Sequence, residues 1–369
     1  MPAAHKGSDM IDGIPVIDAV VHAYNWAPDN YANRYGAILA QQVYHATHAA
    51  AAPGYRLPED AWIRDWSVEE ISNVSFVESD ADIAVHHALK IGAYKDGSCS
   101  LEKALEAKQR WPHRTVVYAG VDPLDGKRAL DELDRQVESL DPVGVKLYPN
   151  TFVADKVKGW RMDDPEVAFP VFERAKKLGL KVVAIHKAVP MGPVPMDPYK
   201  VDDIDRAAIA FPELNFEIVH GGAAFVEETA WQLARFQNVW VNLEITSAML
   251  VHAPRQFHDA MFNLIRIGQE HALRRIMWGT GCMAIHPRPA LERFVREFRF
   301  DDDTVEQGGV RQITEADKRR ILAGNYAEMV GLDLDSRLAA IRNDEFAKRR
   351  GTGAPADPYS TTASAGRAE

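Results

Sequence analysis

Short apolar runs that read as strands recur along this chain, and longer helix-like stretches separate them. The runs are IPVIDAVVHAY (residues 14–24), ADIAVHHAL (81–89), RTVVYAGV (114–121), GVKLYP (144–149), KVVAIHKAV (181–189), NFEIVHGG (215–222), VWVNLEI (239–245) and RIMWGTG (275–281), eight in all. Their continuous apolar character suits strands covered on both faces, as in a parallel sheet. Between them LEKALEAKQRW (101–111) and KRALDELDRQVESL (127–140) space their apolar residues at i, i+3, i+4. Residues 165–179, 226–236 and 255–271 continue the alternation. Eight strand–helix units over roughly 270 residues predict an α/β fold of the (β/α)8 TIM-like barrel type, whose usual length is about 250 residues. A doubly wound sheet is the alternative; the count of eight favours the barrel.

Two parts exceed a minimal barrel. Residues 25–66 form a long insertion after the first run, rich in Tyr, Trp, Pro and Ala, and loops of this length usually cover or shape a site. After the last run, TEADKRRILAGNYAEMVGL (314–332) opens with a Thr-x-x-Asp cap and has an apolar face. It begins a C-terminal helical extension. The barrel with its extension is expected over 14–350, and the small, polar stretch 351–369 is expected to be disordered.

Composition narrows the class of function. A formal net charge of −10, with no basic stripe, argues against nucleic acid or a membrane surface as partner. No run of about 18 apolar residues is present to span a bilayer, and the start, MPAAHKGSDM, has no apolar signal-peptide core. Cys99 and Cys282 are the two cysteines, too few for a disulfide framework. A cytoplasmic location and a small-molecule substrate are the expectations.

In a βα barrel the chemistry gathers at the C-terminal ends of the strands. His22, His186 and His220 each close one of the runs, and three imidazoles facing one axis converge as ligands for Zn, Fe, Mn or a similar ion. His86 and His87 are adjacent in one run, so at most one faces the interior. His45 and His48 lie in the insertion, where they reach the site or are solvated. His252, His258 and His271 read as surface residues, and His286 sits in the loop after the eighth run, on the functional face. Lys146, in GVKLYP, is costly inside a barrel unless it is paired or carboxylated to a bridging ligand. Tyr148 shares its facing and is placed to hydrogen-bond a ligand. Glu244, in VNLEI, is either the carboxylate of the site or a partner that orients a histidine.

These residues in this order resemble the amidohydrolase superfamily, in the amidohydrolase-related branch that contains aminocarboxymuconate-semialdehyde decarboxylase. The similarity covers residues 14–332 and rests on VIDAVVH, GVKLYP, AIH, IVHGG and ILAGNYAEMVGL. It implies His22, His186 and His220 as metal ligands; Lys146 is the candidate fourth if carboxylated, and Glu244, Tyr148 and His286 are the candidate catalytic groups by their place in the runs. Two departures stand out. The family opens Asp-x-His-x-His, and Val20 takes the first histidine's place; its last strand ends Gly-Ser/Thr-Asp, and Gly281 stands where that metal-binding, water-activating aspartate belongs. Because some members of the superfamily are iron- or manganese-dependent oxygenases, such as the two-subunit 2-aminoisobutyrate hydroxylase, the altered ligand set implies first an Fe/Mn-dependent monooxygenase. Such an enzyme takes O₂ as co-substrate and hydroxylates a small amino or carboxylic acid. The alternatives are a non-oxidative decarboxylase or hydrolase of a small carboxylate, with Zn also admissible, and a non-catalytic subunit. A homo- or hetero-oligomer is expected in each case.

Overall fold

The computed structural model describes residues 11–154, 156–350 and 356–362. Among the described residues ten strands are present: β1 (Ile17–Val21), β2 (Ile83–His87), β3 (Thr115–Gly120), β4 (Gly144–Leu147), β5 (Asn150–Val153), β6 (Lys156–Gly159), β7 (Val182–His186), β8 (Asn215–Val219), β9 (Val239–Asn242) and β10 (Ile276–Met277). Eight of them form one sheet in the order β1-β2-β3-β4-β7-β8-β9-β10, with every neighbouring pair parallel. These eight are the eight apolar runs, and all but Asn215 of their residues are buried. Burial on both faces is why the runs lack alternation. The last run is paired over two residues only. Beyond it, Trp278 N–H donates to Ile321 O in the C-terminal extension. The ring closes through single bonds between β1 and the chain after β10: Ala19 N–H to Trp278 O (3.1 Å), Gly281 N–H to Val20 O (3.0 Å) and His22 N–H to Cys282 O (2.6 Å).

Helices follow the strands as the apolar spacing requires, at Leu101–Arg110, Lys127–Leu140, Phe169–Lys177, Val226–Arg235 and Pro254–Arg266. The capping box at Thr314 is formed: its hydroxyl accepts from Asp317 N–H, and the Asp317 carboxylate accepts from Thr314 N–H. The extension then runs through a π turn, Arg320–Gly324, into Asn325–Val330. Asn325 holds it to the barrel by donating to the carbonyls of Leu273 and Ile276. Among the described residues no helix is long and apolar enough to cross a membrane.

The insertion is an ordered cover. Its main element is α1 (Arg34–Ala50), whose N-terminus Asn33 caps by accepting from Tyr35 N–H. The same Asn33 donates to Gly92 O and Phe152 O, tying the helix to the β5–β6 hairpin. Under it Trp26 stacks on Trp62 at 5.7 Å, and Trp62 Nε1–H reaches across to Ala284 O (3.3 Å). Both tryptophans and Trp66 are buried, and each contributes about 2–3 kcal/mol by leaving water.

Disorder was the expectation for 351–369. Of that stretch 351–355 and 363–369 lie outside the described residues, and in 356–362 Tyr359 is buried while its neighbours are exposed or half-buried. Tyr359 is buried against Trp66 and His286, and the backbone N–H groups of Tyr359 and Ser360 donate to Glu78. A polar composition does not prevent ordering when a buried carboxylate takes up the backbone donors.

Candidate metal centre

The parallel register delivers the first two histidines. Ile185 pairs with Ile218 and His186 with Val219, so His220 lies one step past His186 on the same rim. His220 adopts a left-handed φ of +66°, uncommon for a side-chain-bearing residue. Its ring meets that of His186 at 4.3 Å and 75°. His22 follows β1 directly, and Glu244 follows β9 by two residues, its N–H held by Asn242 Oδ1 (3.1 Å).

The outer nitrogens of the histidine pair decide its chemistry. His186 Nε2 lies 2.8 Å from Val189 O, and His220 Nδ1 lies 3.2 Å from Glu244 O. Carbonyls accept only, so each of these nitrogens carries the proton and donates it. Burial keeps both imidazoles neutral, holding His220 down at about 4 and His186 well below the usual histidine range. The inner nitrogens, His220 Nε2 and His186 Nδ1, therefore face each other as bare lone pairs 3.0 Å apart. That arrangement is repulsive alone and is relieved by a cation. A backbone carbonyl bracing the far nitrogen is also what metal-ligating histidines use.

Glu244 completes the donor set. Its Oε1 lies 3.3 Å from His22 Nε2 and its Oε2 3.7 Å from His220 Nε2. Two ligands each about 2.1 Å from one ion, at 90–110°, stand about 3.0–3.4 Å apart, so the His22 spacing suits neighbouring ligands and the His220 spacing is longer than a closed pair of ligands would have. Oε2 has no hydrogen-bond partner among the described residues. Burial raises the Glu244 carboxyl, but His220, His22 and Lys146 more than offset it, and the group stays a carboxylate. His22 differs from the other two histidines. Its Nε2 faces the Glu244 carboxylate, and its Nδ1 has no brace among the described residues. Correspondingly, no three His, Cys, Asp or Glu side chains among the described residues already surround one point. The residues fit a divalent ion as an open set, two imidazoles and a carboxylate with His22 beside them. N/O ligands of this kind suit Mn, Fe or Zn.

Lys146 comes from the middle of β4 and is 1% exposed. Its Nζ has no hydrogen-bond partner among the described residues. Burial lowers its pKa while Glu244 and Glu217 pull it back up. Glu217 lies deeper in the barrel, accepting from Tyr118 OH and Asn242 Nδ2, and is pushed by burial up to about 7. Tyr148 stacks on His186 at 4.5 Å and 23°.

His286 is not with the others. It is buried against Glu78, its Nε2–H donating to Oε2 (2.9 Å), with its ring between Tyr55 and Tyr359. The expectation of a catalytic role is corrected to a structural one. Position after the last strand does not set where a loop side chain points, and this one turns towards the chain's end. His45 is exposed, and His48 sits against Leu57 O, so neither enters the site. His87 stacks on Tyr118 and lies 5.6 Å from the His22 ring, so it is the inward member of its pair.

The cluster opens into a cavity of about 350 Å³, with Tyr24, Tyr148, His186, His220 and Glu244 at its polar end. Val43, Ala46 and Thr47 of α1 roof it, and Met191, Ile245, Met249 and Ile285 form the walls. His252, expected on the surface, lines it as well. These wall residues carried no signal in the sequence, because they come from loops and from one face of the insertion. Asp18 was also missed. Its carboxylate accepts from the N–H and hydroxyl of Thr280, joining β1 to the turn after β10, and burial pushes it up to about 7.

A sequence model of the amidohydrolase family matches residues 64–332. No curated protein matches the chain. Among solved structures, an uncharacterized TIM-barrel protein from Bordetella bronchiseptica superposes with a TM-score of 0.60 at 17% identity, covering 86% of this chain and 99% of that one. A 2,6-dihydroxybenzoate decarboxylase from Rhizobium gives a TM-score of 0.51 at 14% identity, over 86% and 99%. A 5-carboxyvanillate decarboxylase from Novosphingobium aromaticivorans, with bound manganese, gives 0.53 at 13% identity, over 87% and 98%.

Proposed function

The chain belongs to the amidohydrolase family, and on that premise we propose that it is a divalent-metal-dependent lyase that removes carbon dioxide from a small carboxylate without oxidation. One observation carries this reading: the lone pairs of His186 and His220, 3.0 Å apart, beside Glu244 at the closed end of an apolar cavity. His186, His220 and Glu244 would hold a divalent cation, whose chemistry there would be Lewis acidity. Glu244, kept as a carboxylate, takes a proton from the substrate hydroxyl or water through the oxygen that does not hold the cation. It returns that proton to the carbon that loses carbon dioxide, so that R–CO₂⁻ and H⁺ become R–H and CO₂. Tyr24 and Tyr148 orient the substrate, and the walls from Met191, Ile245, Met249 and Ile285 keep bulk water out.

Support for decarboxylation over hydroxylation comes from the decarboxylases that share the fold, one of them with bound manganese. No feature of the site favours O₂ chemistry over it. The test is protein purified without oxygen, loaded with manganese and offered a panel of small aromatic and aliphatic carboxylates. Carbon dioxide release without oxygen uptake is expected. Oxygen consumption matched by a hydroxylated product, with no carbon dioxide released, sinks the lyase reading and restores the monooxygenase.

A further inference from the structure

Gly281, in the turn after β10, adjoins the Glu244 carboxylate. A Cβ placed on Gly281 comes within 2.8 Å of Glu244 Oε1 and 3.1 Å of its Cγ. The first distance is below what packed carbon and oxygen atoms tolerate, so a side chain at 281 requires the Glu244 carboxylate to move from its place beside His22. The backbone reinforces this with φ of +70°, yet that region admits Asp and Asn more readily than other residues. The backbone alone thus strains any side chain at 281, least of all Asp or Asn, and the neighbouring carboxylate adds a contact on top of that strain.

The same distances say what else position 281 can deliver. In an aspartate the carboxylate oxygens lie about 2.4 Å from Cβ, two bonds away. From a Cβ at 281, 2.8 Å from Glu244 Oε1, they are within reach of the place Oε1 now holds. We propose that positions 244 and 281 are an exclusive pair serving one carboxylate position of the metal site. Glu244 reaches that position from the end of β9, and Gly281 stays glycine to leave it room. The proposal rests on the metal-site reading above and adds to it which strand end supplies the acid and why the other cannot. It also makes Gly281 a functional position, although glycine has no side chain to bring.

The test compares E244A, G281A, G281D, E244A/G281A and E244A/G281D with the parent chain, using two readouts. Melting temperature in the metal-free state reads the clash. Manganese bound per chain after loading and desalting, together with the melting shift on adding MnCl₂, reads the carboxylate. G281A and G281D are expected to melt lower than the parent, and each double variant to recover the part of that loss that the Glu244 contact adds to the strain of the positive φ. E244A and E244A/G281A are expected to bind manganese at least tenfold more weakly than the parent. E244A/G281D is expected to return to within about tenfold of it. G281D melting and binding like the parent overturns the exclusion, and E244A/G281D binding no better than E244A overturns the equivalence of the two positions. A parent chain that binds no manganese fails the proposed function instead, and the metal-free melting series still decides whether 244 and 281 exclude each other.

Discussion

Replacing Glu78 by alanine tests how the end of the chain is held to the barrel. Its carboxylate accepts five hydrogen bonds: from Asn73 Nδ2 (2.6 Å), His286 Nε2 (2.9 Å), Tyr359 N (2.7 Å), Ser360 N (2.8 Å) and Ser360 Oγ (2.6 Å). Glu78 is fully buried, so alanine leaves those donors without partner or water. Burial holds His286 below its ordinary histidine value, so what is lost is hydrogen bonds to a carboxylate and not an ion pair, and such bonds are worth about 1.5–3 kcal/mol each without being additive. E78A is therefore expected to lower stability by about 3–5 kcal/mol in urea unfolding at pH 7, and E78Q by less, since the amide keeps one acceptor. The pH dependence has a definite sign. Burial raises the Glu78 carboxyl, but the bonds from His286 and Ser360 bring it below its ordinary 4.5. A carboxyl depressed by folding stabilises above its unfolded value and loses that contribution as the pH falls through the folded one. The gap between parent and E78A should thus narrow below about pH 4.5. Release of residues 356–362 should also speed trypsin cleavage near Arg349 and Arg350. A loss under about 1 kcal/mol with unchanged cleavage refutes the latch.

Alanine at His186 or His220 should cut bound manganese at least tenfold, measured by elemental analysis, whereas H286A should leave the metal in place; the reverse pattern moves the site. Chelation of the loaded protein should lower its stability by about 2.7 kcal/mol if the metal had stood at 100 times its Kd, and an unchanged melting curve means no bound ion. Asp18 is raised by burial from 3.8 to about 7, so the folded state holds a proton the unfolded chain releases and stability falls as the pH rises through that window. D18N should flatten this slope between pH 4 and 7, and an identical slope by urea titration rejects the assignment. Lys187 Nζ is fully buried between Asp203 Oδ2 and Pro198 O, both at 2.7 Å. K187M strands the Asp203 carboxylate and should cost about 3–5 kcal/mol; a loss below 1 kcal/mol shows that Met162 N–H alone satisfies it.

The strands were legible because burial on both faces writes continuous apolar runs into the local sequence, and eight such runs leave few topologies. His186 and His220 were legible for a related reason: in a parallel barrel, a residue's place at a strand end fixes its place at the rim. Loops carry no such rule. His286 sits at the right point in the chain and points elsewhere, while Tyr24, Met191, Met249 and Ile285 build the cavity without any period to announce them.

The eight barrel strands and the strand-end places of His186 and His220 were thus legible in the sequence, because each depends on contacts a few residues long or on a strand's own end, whereas the β5–β6 hairpin was not. The fate of the missing strand-end acid was decided only in three dimensions. Gly281 reads as a loss until β9 and β10 pair with Met277 against Asn242, a register that carries Glu244 into the empty place. Sites 37 residues apart share one position because the barrel brings their strand ends together, and no local pattern records that coincidence.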